Sequence, residues 1–357
     1  MKKKIGILTL QWANNYGALL QCYALQTYIS SLGYDCKVIN YISPEVKNEI
    51  RLLHFNLSVF KDIFFLKKHF LRNLRSVQFR KNFISFADTD DDCDILVVGS
   101  DQIWNLKITY NDKAYFGIGI SKKKIPVISY AASMGQDLSA EYHDVFFANL
   151  QNVSQISVRE ESTKRYIQNT VEVDVEVVLD PVFLLPFKTW LKIIPENKIR
   201  KQSYIFVYAV DDAEGEFVKV VNQISEILNM DVICPGRSVH HGKNYNRIIK
   251  TFGTLGPDYF LYYMLHSDFV VTSSFHGTAF SLVLKKQFIS VCPHLNAPRL
   301  IDLLSRLNCS DRLISSVEAV SAGLLSQKID YSMLSKKINI EREKSAKWLM
   351  DALNDAD

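Results

Sequence analysis

Short apolar runs alternate with helix-period segments along almost the whole 357-residue chain, and that alternation limits the fold more than any other feature. A strand, a helix and a second strand in succession build parallel sheet, because a crossover is needed to bring the second strand into the same direction. Residues 5–10, 35–41, 94–98, 127–131, 155–158 and 175–179 read as strands of a first unit. A first helix is expected over 18–32, where Leu20, Ala24, Tyr28 and Leu32 share a face and Gly33 stops it. Asp180-Pro181 then interrupts the pattern as a hinge would. Strands at 203–210, 231–234, 268–271 and 287–292, with helices at 213–228, at 256–266 and from His276 onward, form a second α/β unit. A last helix, 335–353, carries Ile338, Ser345, Leu349 and Ala352 on one stripe. The boundary falls near 182–200, where Pro186 and Pro195 bracket a polar connection. The expected domains are an N-terminal lobe at 1–185 with a basic helical insertion at 47–86, a C-terminal lobe at 200–334, and a helix at 335–357 that returns to the first lobe.

The length suits about two domains with full cores. A hydrophobic content of 48% with 22% charged residues is that of a globular chain. No run of some eighteen apolar residues occurs, so no spanning helix is expected. The start, Met-Lys-Lys-Lys-Ile-Gly-Ile-Leu-Thr-Leu, is broken at once by Gln11 and Trp12, and reads as a strand rather than a leader. Six cysteines at 22, 36, 93, 234, 292 and 309 form no Cys-x-x-Cys pair, which points to a reduced, cytoplasmic protein with no metal site. Charge is concentrated at 47–81, where nine Lys or Arg stand against Glu49 and Asp62 among several phenylalanines. Two readings of that stretch stay open. It is a helical surface with aromatics inward and lysines in water, or it docks peripherally on an anionic membrane at the inner face. No nucleic-acid-binding motif accompanies it, so nucleic acid is not an expected partner.

Residues 270–277 read Val-Val-Thr-Ser-Ser-Phe-His-Gly, a strand running into a helix that opens near His276. Ligands of open α/β sheets sit beyond the carboxyl ends of strands, and a helix start there offers free N–H groups to an anion. The simpler alternative is a cap at Ser273 or Ser274 with His276 as a packed spacer. The segment has company, however. Gly6-Ile-Leu-Thr-Leu with Asn14-Asn15-Tyr16-Gly17-Ala18 opens the chain, and Val98-Gly99-Ser100-Asp101-Gln102-Ile103-Trp104-Asn105 follows a strand. Ser129-Tyr130-Ala131-Ala132-Ser133-Met134-Gly135, Ile156-Ser157-Val158-Arg159-Glu160-Glu161-Ser162 and Leu179-Asp180-Pro181-Val182 come later. In this order the set resembles the polysaccharide pyruvyl transferase family, from the first strand to about Arg312. The resemblance implies two Rossmann-like lobes facing each other across a cleft, as in the GT-B glycosyltransferases. It also implies transfer of pyruvate from phosphoenolpyruvate onto a sugar of a surface-polysaccharide precursor, as a ketal.

Phosphoenolpyruvate carries a carboxylate and a phosphate close together, and arginine forks suit both. Arg159, in a shared motif, and Arg299, with Asn296 beside it, are the expected donor-binding cations, and Ser274 and Gly277 complete that side; a surface salt bridge of Arg159 with Glu160 or Glu161, and a cap by Arg299 on the helix of Leu303 and Leu304, are the standing alternatives. The family pattern often has arginine where this chain has Ser274, so one cation is missing there. His276 is the expected general acid and base, because imidazole titrates near neutrality. His294 and the His240-His241 pair are expected in structural or loop positions. The acceptor, a sugar or lipid-linked oligosaccharide, is expected against Asn15, Tyr16 and Gly17, and against Asp101, Gln102, Trp104 and Asn105. These supply a carboxylate, amides and an indole for sugar hydroxyls and faces. For Trp104 core packing is the standing alternative. No cofactor is expected beyond the donor substrate. Two other classes stay open on sequence: a glycosyltransferase using a nucleotide sugar, and a glycan-binding relative without catalysis.

Overall fold

The computed structural model describes residues 2–48, 63–88, 92–135, 140–196, 202–209, 215–235, 245–252, 255–292 and 298–356, with the backbone alone at 63–72 and 250–252. The chain divides into two compact units: Met1–Leu66, Gln78–Leu185 and Asn339–Asp357 make the first, Lys67–Val77 and Pro186–Ile338 the second.

The first unit is built on strands β1 (Lys4–Leu8), β2 (Asp35–Ile39), β3 (Phe86–Ala87), β4 (Ile95–Asp101), β5 (Val127–Ala132), β6 (Gln155–Val158) and β7 (Val175–Val177). They form one sheet in the order β3-β2-β1-β4-β5-β6-β7, every pair parallel. β4 and β5 are buried at every position, as strands covered on both faces must be. Around them pack helices α1 (Tyr16–Ser31), α3 (His143–Leu150) and α4 (Glu161–Gln168), and the part of α2 (Ile63–Phe83) from Gln78 belongs to the same unit. α1 starts two residues before the place its apolar face suggested. The cause is Asn15, whose Oδ1 accepts from Gly17 N–H at 2.9 Å and caps the helix.

The short edge strand β3 has no sequence signal of its own. Gln26, buried on α1, seats it: its amide nitrogen donates to Ser85 O at 2.7 Å and to Cys36 O at 3.2 Å, and its oxygen accepts from Ser85 N–H. At the described end of the basic helix, Phe79 and Phe83 lie edge-on to Tyr23 of α1, while Leu74, Arg75, Val77 and Lys81 are exposed. This end follows the aromatics-inward pattern. Residues 49–62, with Arg51, Lys61 and several phenylalanines, lie outside the described residues, as do the side chains of Lys67, Lys68 and Arg72.

The second unit has β8 (Tyr204–Tyr208), α5 (Glu216–Leu228), β9 (Asp231–Pro235), β10 (Ile248–Phe252), α6 (Pro257–His266), β11 (Phe269–Thr272), α7 (Phe275–Val283), β12 (Gln287–Val291), α8 (Pro298–Arg306) and β13 (Leu313–Ile314). Its parallel sheet runs β10-β9-β8-β11-β12-β13. The periodicity did not mark β10 or β13, which are edge strands of mixed composition. The final helix, α9 (Tyr331–Asp355), buries Leu334, Glu341, Ser345, Leu349, Ala352 and Leu353. Its part from Asn339 belongs to the first unit. There Ser345 Oγ accepts from Leu179 N–H at 2.9 Å, and Trp348 meets Tyr130 with ring centroids 6.3 Å apart.

In both sheets the strand order turns around between the first strand and its later neighbour, β1 beside β4 and β8 beside β11. The crevice outside the carboxyl ends at such a turning point is where ligands of open α/β sheets bind. The segments that carry the resemblance follow β1, β4, β5, β6, β7 and β11.

Candidate functional site

In the second unit the turning point is the end of β11. Thr272 pairs in register with Tyr208 of β8, and Thr272 Oγ1 donates to Tyr208 O at 2.6 Å. The same Oγ1 accepts from Ser274 N–H at 3.0 Å, which turns the chain from strand to helix. Ser274 is the cap of α7, its Oγ accepting from Gly277 N–H at 3.3 Å. A side chain on Gly277 would put its Cβ 2.2 Å from Thr272 Oγ1. Glycine is therefore required there by close packing of helix on strand. Thr278 Oγ1 donates to Ser274 O at 3.1 Å and lies 2.7 Å from Ser290 Oγ, so a row of hydroxyls holds the turn rigid.

His276 occupies the second position of α7. Its ring is edge-on to Phe275 with centroids 5.3 Å apart, and it is 8% exposed. The ring thus stands nearly buried at a helix start that has no acidic residue in its first turn. Arg299 is half-buried in the first turn of α8. Asn296, His294 and the His240-His241 pair lie outside the described residues.

In the first unit, the sequence-separated motifs meet on one guanidinium. Arg159 follows β6 and is buried. Its Nη1 is 2.8 Å from Asp180 Oδ2, its Nε 3.1 Å from Glu160 Oε1, and its Nη2 3.7 Å from Asp101 Oδ1. Burial works against the charge of Arg159, but the attraction of Glu160, Asp180 and Asp101 outweighs it and holds the pKa above the ordinary guanidinium value. Asp180 Oδ2 also accepts from Ser100 Oγ at 3.1 Å, while its Oδ1 accepts from Val182 N–H. The expectation of a donor-gripping fork at Arg159 is thus corrected. The fork is engaged by three protein carboxylates, and a free anion would meet an excess of negative charge there. What the cluster does is tie the ends of β4 and β6 to the Asp180 turn.

Asp101 closes β4 with φ of 73°, and its carbonyl accepts from Ile103 N–H at 2.8 Å and Ser133 N–H at 3.0 Å. Gln102 and Asn105 are joined, Asn105 Nδ2 donating to Gln102 Oε1 at 2.9 Å. Gly135, with φ of 75°, lies so close that a Cβ would come within 2.1 Å of Gln102 Oε1. Trp104 is the second correction. It is fully buried, stacked on Phe116 at 5.7 Å and edge-on to Phe146, and its indole N–H donates to Tyr115 O at 3.3 Å. No face of the ring is left for a sugar, because the core claims both. Tyr16 is buried as well, and the Gly17 N–H is occupied by Asn15. Thr9, at the end of β1, links the two acceptor-side segments: Gln21 of α1 donates to Thr9 Oγ1 at 2.9 Å, and Thr9 Oγ1 donates to Ser100 O at 2.9 Å.

Sequence reasoning missed Thr272, Trp12 and Arg80. Arg80 reaches the loop after β1, its Nη1 donating to Gln11 O at 3.2 Å and its Nη2 to Asn14 Oδ1 at 3.3 Å. The loop after β1 was already suspected, but nothing in the sequence pairs it with a residue about 65 positions later. Among the described residues no cluster of His, Cys, Asp and Glu could hold a metal ion.

The fold has solved counterparts. A UDP-GlcNAc 2-epimerase from Neisseria meningitidis bound to UDP-GlcNAc is 12% identical over 99% of this chain and 100% of its own, with a TM-score of 0.55. A putative UDP-N-acetylglucosamine 2-epimerase from Listeria monocytogenes is 11% identical over 99% and 96%, with a TM-score of 0.58. The epimerase from Rickettsia bellii is 12% identical over 99% and 96%, at 0.54. At such identities the likeness is one of fold: two parallel-sheet α/β lobes of the GT-B kind. No curated protein matches the chain. The profile of the polysaccharide pyruvyl transferase family matches residues 15–293, which hold α1, the Asp101 and Arg159 motifs and the His276 turn, and the chain belongs to that family.

Proposed function

We propose that the protein transfers pyruvate from phosphoenolpyruvate onto two hydroxyls of a sugar in a surface-polysaccharide precursor, forming a ketal and releasing phosphate. The observation that carries the reading is His276, nearly buried at the start of α7 beside the turning point of the second sheet, inside the stretch that matches the family. In this scheme the imidazolium gives its proton to the enol methylene carbon while one sugar hydroxyl oxygen bonds to the central carbon, its proton passing to a phosphate oxygen. Phosphate then leaves with the cleaved C–O electron pair, and a second sugar oxygen takes its place as its proton returns to His276. The positive end of α7 favours the anionic donor over a neutral one. The acceptor faces the loop after β1 and the Asp101 turn, where Asp101, Gln102 and Asn105 present hydrogen-bonding groups.

The test is incubation of the purified chain with phosphoenolpyruvate and candidate glycans, following phosphate release and the ketal methyl signal by NMR. Nucleotide sugars are titrated in parallel. Turnover of a nucleotide sugar with no consumption of phosphoenolpyruvate would replace this reading with the glycosyltransferase one. We further propose that the acceptor is presented on a lipid carrier, and that the basic stretch at 47–81 brings the enzyme to the anionic membrane surface.

A further inference from the structure

Two arginines of the first unit, Arg159 and Arg80, have opposite electrostatic surroundings. Arg159 is met by three carboxylates. Arg80 is half-buried, yet both of its bonds go to neutral oxygens, Gln11 O and Asn14 Oδ1. Burial pushes its pKa below the ordinary guanidinium value, and among the described residues no carboxylate pairs with it. The carboxylate of the adjoining loop cluster, Asp112, is committed elsewhere: Oδ2 accepts from Tyr41 Oη at 2.7 Å and Oδ1 from Ala114 N–H at 2.9 Å. A guanidinium has five N–H donors, and two are used here.

Three neighbours give this cation the character of a ligand seat. The loop it grips leads directly into α1, a sixteen-residue helix without acidic residues in its first turn, so the positive end of that helix is also uncompensated. Trp12, in the same loop, is half-exposed and held in place by a bond from its Nε1 to Tyr115 Oη at 3.1 Å. Gln11 is 2% exposed. Its Nε2 donates to Tyr41 O, while its Oε1 is buried without a donor among the described residues, an acceptor suited to a hydroxyl.

We propose that Arg80, Asn14 and the amino end of α1 seat the phosphate of a phosphorylated sugar, with the pyranose ring against Trp12. Arginine and a helix start are the pairing that recognises phosphate, and a fixed indole is a platform for the apolar face of a sugar. The site deepens the proposed function, in that the phosphate marks the carrier end of the acceptor. Its existence as a phosphate site does not depend on pyruvyl transfer.

The experiment is calorimetric titration of the full chain with glucose 1-phosphate, glucose, glucuronate and inorganic phosphate, without phosphoenolpyruvate, in the native and His276→Ala backgrounds. Asn14→Asp is the informative variant. It keeps a partner for Arg80, so the loop stays anchored, but places a carboxylate against the open charge. Glucose 1-phosphate affinity is expected to fall at least tenfold in Asn14→Asp and in Arg80→Lys, with the melting temperature of Asn14→Asp unchanged or raised, and His276→Ala without effect. Unchanged affinity in both variants would overturn the site, as would binding lost with His276→Ala alone. Glucuronate binding as tightly as glucose 1-phosphate would overturn the phosphate assignment. A chain that converts phosphoenolpyruvate normally yet fails these titrations refutes the phosphate seat alone. One that passes them yet consumes no phosphoenolpyruvate refutes the transfer reaction alone.

Discussion

Two side chains separate chemistry from architecture at the residue scale. On the proposed mechanism, His276→Ala should lower turnover by roughly 10² to 10⁴, the usual contribution of a positioned acid or base. A role confined to chemistry leaves the fold intact in that variant. Steady-state rates together with a circular dichroism melt check this, and near-native turnover would remove His276 from the mechanism. Arg159 is the opposite case. Removing it strands Asp101, Glu160 and Asp180 in a buried site, and losing one partner of a buried ion cluster costs about 3–5 kcal/mol. Arg159→Ala should therefore show a large loss in urea-monitored stability, and Arg159→Lys a smaller one because the charge survives. An Arg159→Ala protein as stable as the native would mean the carboxylates find other partners. Both residues sit in family motifs, so motif membership alone does not tell a reacting group from a brace.

At the scale of elements, the β11–α7 turn shows how a loop of few residues becomes a fixed platform. Ser274 caps the helix, Thr272 ties the turn to β8, and Gly277 permits the close approach. Replacing Ser274 with Ala should cost about 0.5–2 kcal/mol, and with Gly only a few tenths, the known ranking for helix caps. Thermal unfolding of the two variants tests that ordering, and equal losses would mean that the hydroxyl is not acting as a cap. Ser274→Arg, which restores the more frequent family residue, also loses the cap. It should be less stable than the native protein whatever it does for donor affinity. The apolar run of β11, the helix that follows and the position of His276 at its start were all legible in the sequence. The cap was legible only as one of two serines, because Ser273 and Ser274 are equivalent in composition and differ only in which oxygen reaches the Gly277 amide. Trp104 illustrates the reverse problem. An indole beside amides and a carboxylate reads as a sugar platform, yet Phe116 and Phe146, from elsewhere in the chain, enclose it.

On the scale of the whole molecule, no described helix is long and apolar enough to cross a membrane. The stretch at 47–81 holds nine basic residues against two acidic ones. Each basic residue near an anionic surface contributes about 1 kcal/mol of attraction, and that attraction fades with salt as screening shortens. Sedimentation with anionic vesicles should pellet the native chain at low salt and release it at high salt. Neutral vesicles, and a variant with Lys67, Lys68, Arg72 and Arg75 changed to Gln, should not pellet. Equal behaviour across all four conditions would leave the stretch an ordinary solvated face.

The sequence by itself determined the class of the fold, since alternating strand and helix periods admit parallel α/β sheet and little else, and its ordered motifs were sufficient to place the chain in a family. It determined which residue types stand at strand ends, because that follows from local periodicity. Only the tertiary structure decided the strand order, which sets β1 beside β4 and β8 beside β11 and so puts the turning point of each sheet there. It also decided that Arg159 braces three carboxylates, that Trp104 lies in the core, and that Arg80 reaches the loop after β1. The physical reason is common to all four. A local pattern records what each residue does to its own backbone and to water, whereas burial and the sign of the surrounding charge depend on partners tens of positions away.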